Sequence, residues 1–264
     1  MTSPTITAFL DALAGRGRNH FVTADLQHRL QLSLPATHMA LSRLARTGHI
    51  VSPYRGFYVV VAPELRVYGV TPANDFIDAL MGWLGEPYYL SLLTSAALYG
   101  AAHQAPLRTQ VIVRRARRTI LCGRVAIDFL VRADMEKTAT QILNTRGGVI
   151  RVASPETTAL ELVGYAQRCA GLDHVATVLA ELGEAMDGAA LAEVAAGCPI
   201  AWVQRLGWLL ELVQQWPLAD RLFLEQRSRI SKPTRLAPWL PGKGAPRQNR
   251  WRVIVNVDVE PDDI

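Results

Sequence analysis

Residues 33–60 read SLPATHMALSRLARTGHIVSPYRGFYVV. Ser33 is placed to cap a helix, and Pro35 falls in its first turn, where a missing N–H costs little. Leu34, Leu41 and Leu44 recur at helical spacing, with Met39 and Ala45 beside them. Thr37, His38, Ser42, Arg43 and Arg46 fall largely on the other faces. Gly48 stops the helix as a glycine just past its last turn. His49, Ile50 and Val51 read as extended, Ser52 to Gly56 as a turn, and Phe57 to Val61 as a second strand. The stretch is a capped helix followed by a small hairpin with Arg55 at its tip.

Two helices precede it. Ile6, Phe9, Leu10 and Leu13 give the first one apolar face, and Gly15 to Gly17 end it. Phe21 and Val22 are extended. Thr23 can cap a second helix carrying Leu26 and Leu30, with Leu32 in the turn after it. Helix, helix, turn, helix and hairpin is the order of a winged helix-turn-helix, whose second helix of the turn enters the major groove. On that reading Thr37, His38, Ser42, Arg43 and Arg46 lie on or near the recognition surface, and Arg55 sits on the wing. The arginines would grip phosphates, position the protein and supply one base-edge contact, while His38 reads either as a further base reader or as an ordinary surface histidine. The competing reading is a solvated helix face on a domain that docks protein.

Charge favours the first. The chain of 264 residues carries a net +5. Before residue 61 its cations are Arg16, Arg18, Arg29, Arg43, Arg46 and Arg55, against Asp11 and Asp25 alone. Lys137, Lys232 and Lys243 are its three lysines, so nearly all cations are guanidinium groups, an excess that reads either as the coding bias of a GC-rich genome or as groups that fork onto phosphates and guanine edges. A second dense run, Arg114-Arg115-Ala116-Arg117-Arg118, lacks interleaved aromatics for base stacking. It reads either as a second basic surface for nucleic acid or an acidic partner, or as a solvated hairpin rim.

The boundary of the first domain falls near residue 65, giving a winged helix-turn-helix over 1–64 and a larger mixed domain over 65–264. Glu64 to Thr71 reads as an extended connector, and Asn74 to Leu84 as an amphipathic helix. Tyr88 to Gly100 reads as a buried helix, Gln110 to Val113, Arg124 to Val131 and Val149 to Ala153 as strands. Ser154-Pro155-Glu156 is a strong helix start, with an acid near the positive end of the dipole. Helices follow over 155–169, 173–182, 188–196, 199–215 and 218–226. Val203, Leu206, Leu209, Leu210 and Val213 make an apolar face, and Trp202, Trp208 and Trp216 are expected in the core. The proline-rich tail reads as loop until 251–259, which alternates as a final strand. The fold class is α+β: a winged helix, then a small sheet and a helical bundle.

Catalytic patterns are missing. There is no phosphate-binding Walker loop, dinucleotide fingerprint, His-Glu-x-x-His or Gly-x-Ser-x-Gly. Cys122, Cys169 and Cys198 are too scattered for a zinc site or a disulfide framework and suit a reducing cytoplasm. His103 and His174 are isolated and read as structural. The N-terminus lacks the basic segment of a signal peptide. The expectation is a cytoplasmic protein without cofactor, metal or catalytic residue, a regulator rather than an enzyme.

The layout resembles the AbiEi family of antitoxins from type IV abortive-infection toxin–antitoxin systems. The resemblance is carried by ALSRLARTGHI, SPYRGFYVV, PYYLSLLTSAALYGAAHQAP, VIVRRARR, VAIDFLV, VIRVASPETTALELV and WRVIVNVDVE, in that order. It implies an N-terminal domain that represses its own operon at promoter inverted repeats, with Arg43, Arg46 and Arg55 on double-stranded DNA. It also implies a C-terminal domain that counters a nucleotidyltransferase-like toxin, with or without direct contact. Arg114, Arg115, Arg117 and Arg118 would extend the DNA footprint or face a toxin-related target. The alternative is a winged-helix interaction protein, or an enzyme whose chemistry lies in the C-terminal domain.

Overall fold

The computed structural model describes residues 5–67, 69, 71–102 and 106–262. His103 therefore lies outside the described residues. The chain packs as two compact units that interleave in sequence. The first comprises Met1–Tyr89, Leu107–Met135 and Ile142–Arg151; the second comprises Leu90–Pro106, Glu136–Gln141 and Val152–Ile264.

In the first unit the chain opens with α1 (Ile6–Ala14), β1 (His20–Val22), α2 (Thr23–Leu30), α3 (Leu34–Arg46), β2 (Ile50–Tyr54) and β3 (Phe57–Val60). Each helix end has a local cause. Thr5 Oγ1 accepts the Ala8 N–H at 3.2 Å to start α1. For α2 the cap position is Val22 rather than Thr23, because Asp25 reaches back and accepts the Val22 N–H at 3.1 Å. Ser33 caps α3, accepting from Ala36 at 3.4 Å, with Pro35 in the first turn. At the other end Gly48 takes φ +69°, and its N–H reaches the Ala45 carbonyl while His49 reaches Leu44. That pair of bonds is the Schellman ending.

β2 and β3 form an antiparallel hairpin across Arg55–Gly56, and β1 adds to its far side, giving the order β1-β3-β2. Beneath it Phe9, Leu13, Phe21, Leu26, Leu41, Leu44 and Ile50 make one buried cluster. A 3-10 turn at Pro63–Leu65 takes up the start of the expected extended connector, its proline being well suited to a first helical position.

The chain continues through α4 (Ile77–Trp83), β4 (Tyr88–Leu90), α5 (Leu92–Leu98), β5 (Arg108–Val113), β6 (Ile120–Cys122), β7 (Val125–Val131), β8 (Thr140–Thr145) and β9 (Gly148–Ala153). The six strands order as β6-β7-β5-β4-β9-β8, a larger sheet than the sequence suggested. β5 and β7 pair in parallel, Val111 opposite Phe129, while β6 pairs antiparallel to β7. The expected helix over Tyr88–Gly100 is instead a strand and a shorter helix. Tyr88, Tyr89 and Leu90 are all buried, and a short, wholly apolar run carries no periodicity to tell strand from helix.

The second unit is mostly helical: α6 (Pro155–Gly164), α7 (Leu172–Leu182), α8 (Gly188–Ala196), α9 (Ile200–Leu212) and α10 (Trp216–Gln226). Ser154 caps α6 as expected, accepting from Thr157 at 3.2 Å. Glu156 is buried, and its carboxylate accepts the Asp187 N–H at 3.0 Å at the start of α8. Trp202 packs edge-on to Tyr165, but Trp216 is half exposed and not a core residue.

Three short strands close the unit: β10 (Thr234–Arg235), β11 (Arg247–Gln248) and β12 (Val253–Ile254), ordered β10-β12-β11. The expected strand over 251–259 is thus reduced to two residues. Arg252 takes φ +51° before it. After it the Asn256 side chain takes the place of a ladder, accepting from the Ala237 N–H and donating to the Ala237 and Leu240 carbonyls. The tail is anchored on α9. Gln204 donates to the carbonyls of Lys232 and Trp251, Arg205 to that of Arg235, and Glu211 accepts from the Trp251 indole at 2.7 Å and from Arg250 at 2.9 Å.

Candidate nucleic-acid interface

α3 buries Thr37, Ala40, Leu41 and Leu44 and turns its opposite side to solvent. Thr37 is 0% exposed and its hydroxyl donates to the Ser33 carbonyl at 2.9 Å, so it is removed from the surface set. A threonine there satisfies its own polar group inside the helix and fills the core with its methyl. His38, Ser42, Arg43 and Arg46 are exposed along the helix. Met39, placed beside the apolar face by the sequence, is exposed with them. An open groove bounded by Ile6, Leu32, Ala36, Met39 and Arg43 runs beside this face.

Arg55 is exposed at the hairpin turn, where Gly56 takes φ +85°. The turn is held from below. Trp83 of α4 packs 5.7 Å from the Phe57 ring and 5.8 Å from that of Tyr54, centroid to centroid. His20 stacks on Phe57 at 5.6 Å. Burial and the nearby Arg18 guanidinium pull the His20 pKa below 6.5, only partly countered by Asp25. None of these supports was legible in the sequence. Only the aromatic character of Trp83 on a helical apolar face hinted at one.

The run Arg114–Arg118 forms the loop between β5 and β6. Arg114, Arg115 and Arg118 are exposed; Arg117 folds back onto Glu86, its two nitrogens 2.8 and 3.2 Å from one carboxylate oxygen. β6 in turn packs along β2, the first strand of the hairpin. The loop and the Arg55 turn therefore belong to adjoining parts of one unit.

The second unit buries several polar groups. The Ser91 hydroxyl donates to the buried Glu161 carboxylate, and Thr158 donates to Ser95 at 2.9 Å. Burial, aided by Glu161, raises the Cys169 thiol to about 12. His174 is half-buried on α7. No group of three His, Cys, Asp or Glu side chains that could hold a metal occurs among the described residues. No helix among them is long and apolar enough to cross a membrane.

Residues 89–212 match the family model of the AbiEi antitoxin C-terminal domain. That is the family its sequence resembles, and the match covers just under half of the chain. Among solved structures it is similar to the RV2827C protein from Mycobacterium tuberculosis, with TM-score 0.67 and 17% identity over 94% of this chain and 89% of that one. The two share a fold. An antigenic nucleotidyltransferase-like protein from Paracoccidioides brasiliensis aligns with TM-score 0.36 and 13% identity over 57% of this chain and 90% of that one. No curated protein matches the sequence.

Proposed function

We propose that this chain is the antitoxin of a type IV toxin–antitoxin system and represses its own operon by binding inverted repeats in its promoter. Residues 1–64 act as the winged helix-turn-helix, and residues 65–264 as the antitoxin domain, a cytoplasmic protein without catalytic role. The observation that carries the DNA reading is the outer side of α3. It presents His38, Ser42, Arg43 and Arg46 together, with Arg55 on the hairpin beyond and no acidic residue in the helix. Guanidinium groups so placed neutralise phosphates and release counterions, the main source of affinity for duplex DNA. Arg114, Arg115 and Arg118, in the loop leading to the strand beside the wing, extend that footprint. The antitoxin reading rests on the family match over 89–212; its counterpart would be a nucleotidyltransferase-like toxin.

Fluorescence anisotropy of the full chain with its own upstream promoter and with a scrambled duplex, over a salt series, tests the DNA reading. Preference for the promoter by orders of magnitude is the expected result. Equal, steeply salt-dependent binding to both would reduce the face to a generic basic surface, and no binding would refute the repressor.

A further inference from the structure

The outer side of α3 is not uniformly polar. Pro35, Met39, Ser42 and Arg46 succeed one another at intervals of four, three and four, which is one straight row on an α-helix. All four are exposed, and the row lies opposite the buried Thr37, Ala40, Leu41 and Leu44. Met39 occupies the middle of the surface that the helix offers to a partner. It is 76% exposed, against 50% for Leu34 on the same helix. His38 and Arg43 stand on either side of it, and Arg46 follows in the last turn.

An apolar side chain flanked by the Arg43 and Arg46 guanidinium groups matches one feature of duplex DNA. The major groove is edged by phosphates, and thymine's C5-methyl is the apolar group that a base presents there. Residues in the N-terminal part of a recognition helix are the ones that reach base edges, and Met39 lies in the first half of α3. The unbranched thioether adapts its shape to such a contact.

We infer that Met39 is a base-reading residue that selects thymine by packing against its C5-methyl, while Arg43 and Arg46 hold the flanking phosphates. The inference rests on the DNA-binding function proposed above and assigns its specificity. Removing the one methyl is expected to weaken binding about fourfold, the worth of one buried carbon.

The test uses the full chain, its own upstream promoter duplex, and a set of duplexes in which each thymine is singly replaced by 2′-deoxyuridine. That change deletes the methyl and keeps the base pair. The expected result is a loss of about fourfold at one thymine for the wild type. Met39→Ala should bind the unmodified promoter more weakly by a similar factor and be indifferent to deoxyuridine at that position. Met39→Leu should keep most of the sensitivity. Circular dichroism confirms that both variants are folded. If the wild type prefers its promoter but no thymine is coupled to Met39, the assignment is overturned and the repressor reading stands. If promoter and scrambled duplex bind the wild type equally, both fall.

Discussion

The hydroxyl of Ser91 donates to the carboxylate of Glu161, seventy residues further along the chain, and both residues are fully buried. A carboxylate inside the protein needs its donors, because burial leaves it no water to turn to. Ser91→Ala should therefore cost about 1–3 kcal/mol, the penalty for stripping a partner from a buried polar group. Chemical denaturation should show a lower midpoint with an unchanged slope. No loss would mean that water or another donor takes over.

Gly207 of α9 lies against the indole of Trp251, and a Cβ added there would come within 2.3–2.4 Å of three ring atoms. Overpacking of this kind costs typically about 1–3 kcal/mol. Gly207→Ala should lower the melting temperature, and a smaller residue at 251 should recover part of the loss, less the cavity it opens. An additive double variant would show that the two do not touch in solution.

Arg43→Ala with Arg46→Ala should weaken promoter binding and lower the salt slope by about 2, one for each phosphate that is no longer neutralised. The measurement is anisotropy between low and moderate salt. An unchanged slope would take the two arginines off the DNA.

His20 titrates below 6.5 in the folded chain. The unfolded state then binds the proton more readily, so stability rises with pH through this window. The contribution is complete above about 6.5 and is lost as pH falls through the depressed folded value. Melting temperatures taken from about pH 8 to 5 should fall on the acid side, and His20→Gln should flatten that fall.

Burial holds the Cys169 thiol near 12, far from the thiolate that reacts with disulfide reagents. At about pH 8 the native protein should leave Cys169 unlabelled, and denaturant should expose it. Peptide mapping after alkylation distinguishes it from Cys122 and Cys198.

Local rules made much of the fold legible. Ser33 and Ser154 cap their helices as their neighbours foretell, and Gly48 ends α3. α8 spans 188–196 as its sequence reads. Failures came where tertiary packing decided. Tyr88–Leu90 is a strand because it is buried in a sheet, and its letters alone suit a helix equally. Thr37 and Met39 exchanged faces relative to polarity: a buried threonine satisfied by its own helix, an exposed methionine with no local reason to be so. Arg117 looked like its three neighbours until Glu86 claimed it. Polar Gln204 and Arg205, buried beside apolar neighbours on α9, are explained by tail carbonyls some thirty to fifty residues downstream.

The Trp83 indole wedged beneath Tyr54 and Phe57 has a thermodynamic consequence for the hairpin above it. A loose wing must surrender conformational entropy whenever it meets a surface, and that loss subtracts from affinity. Here the rings settle the turn during folding, so Arg55 reaches any partner from a preorganised scaffold. Cutting Trp83 back would shift that ordering into each encounter.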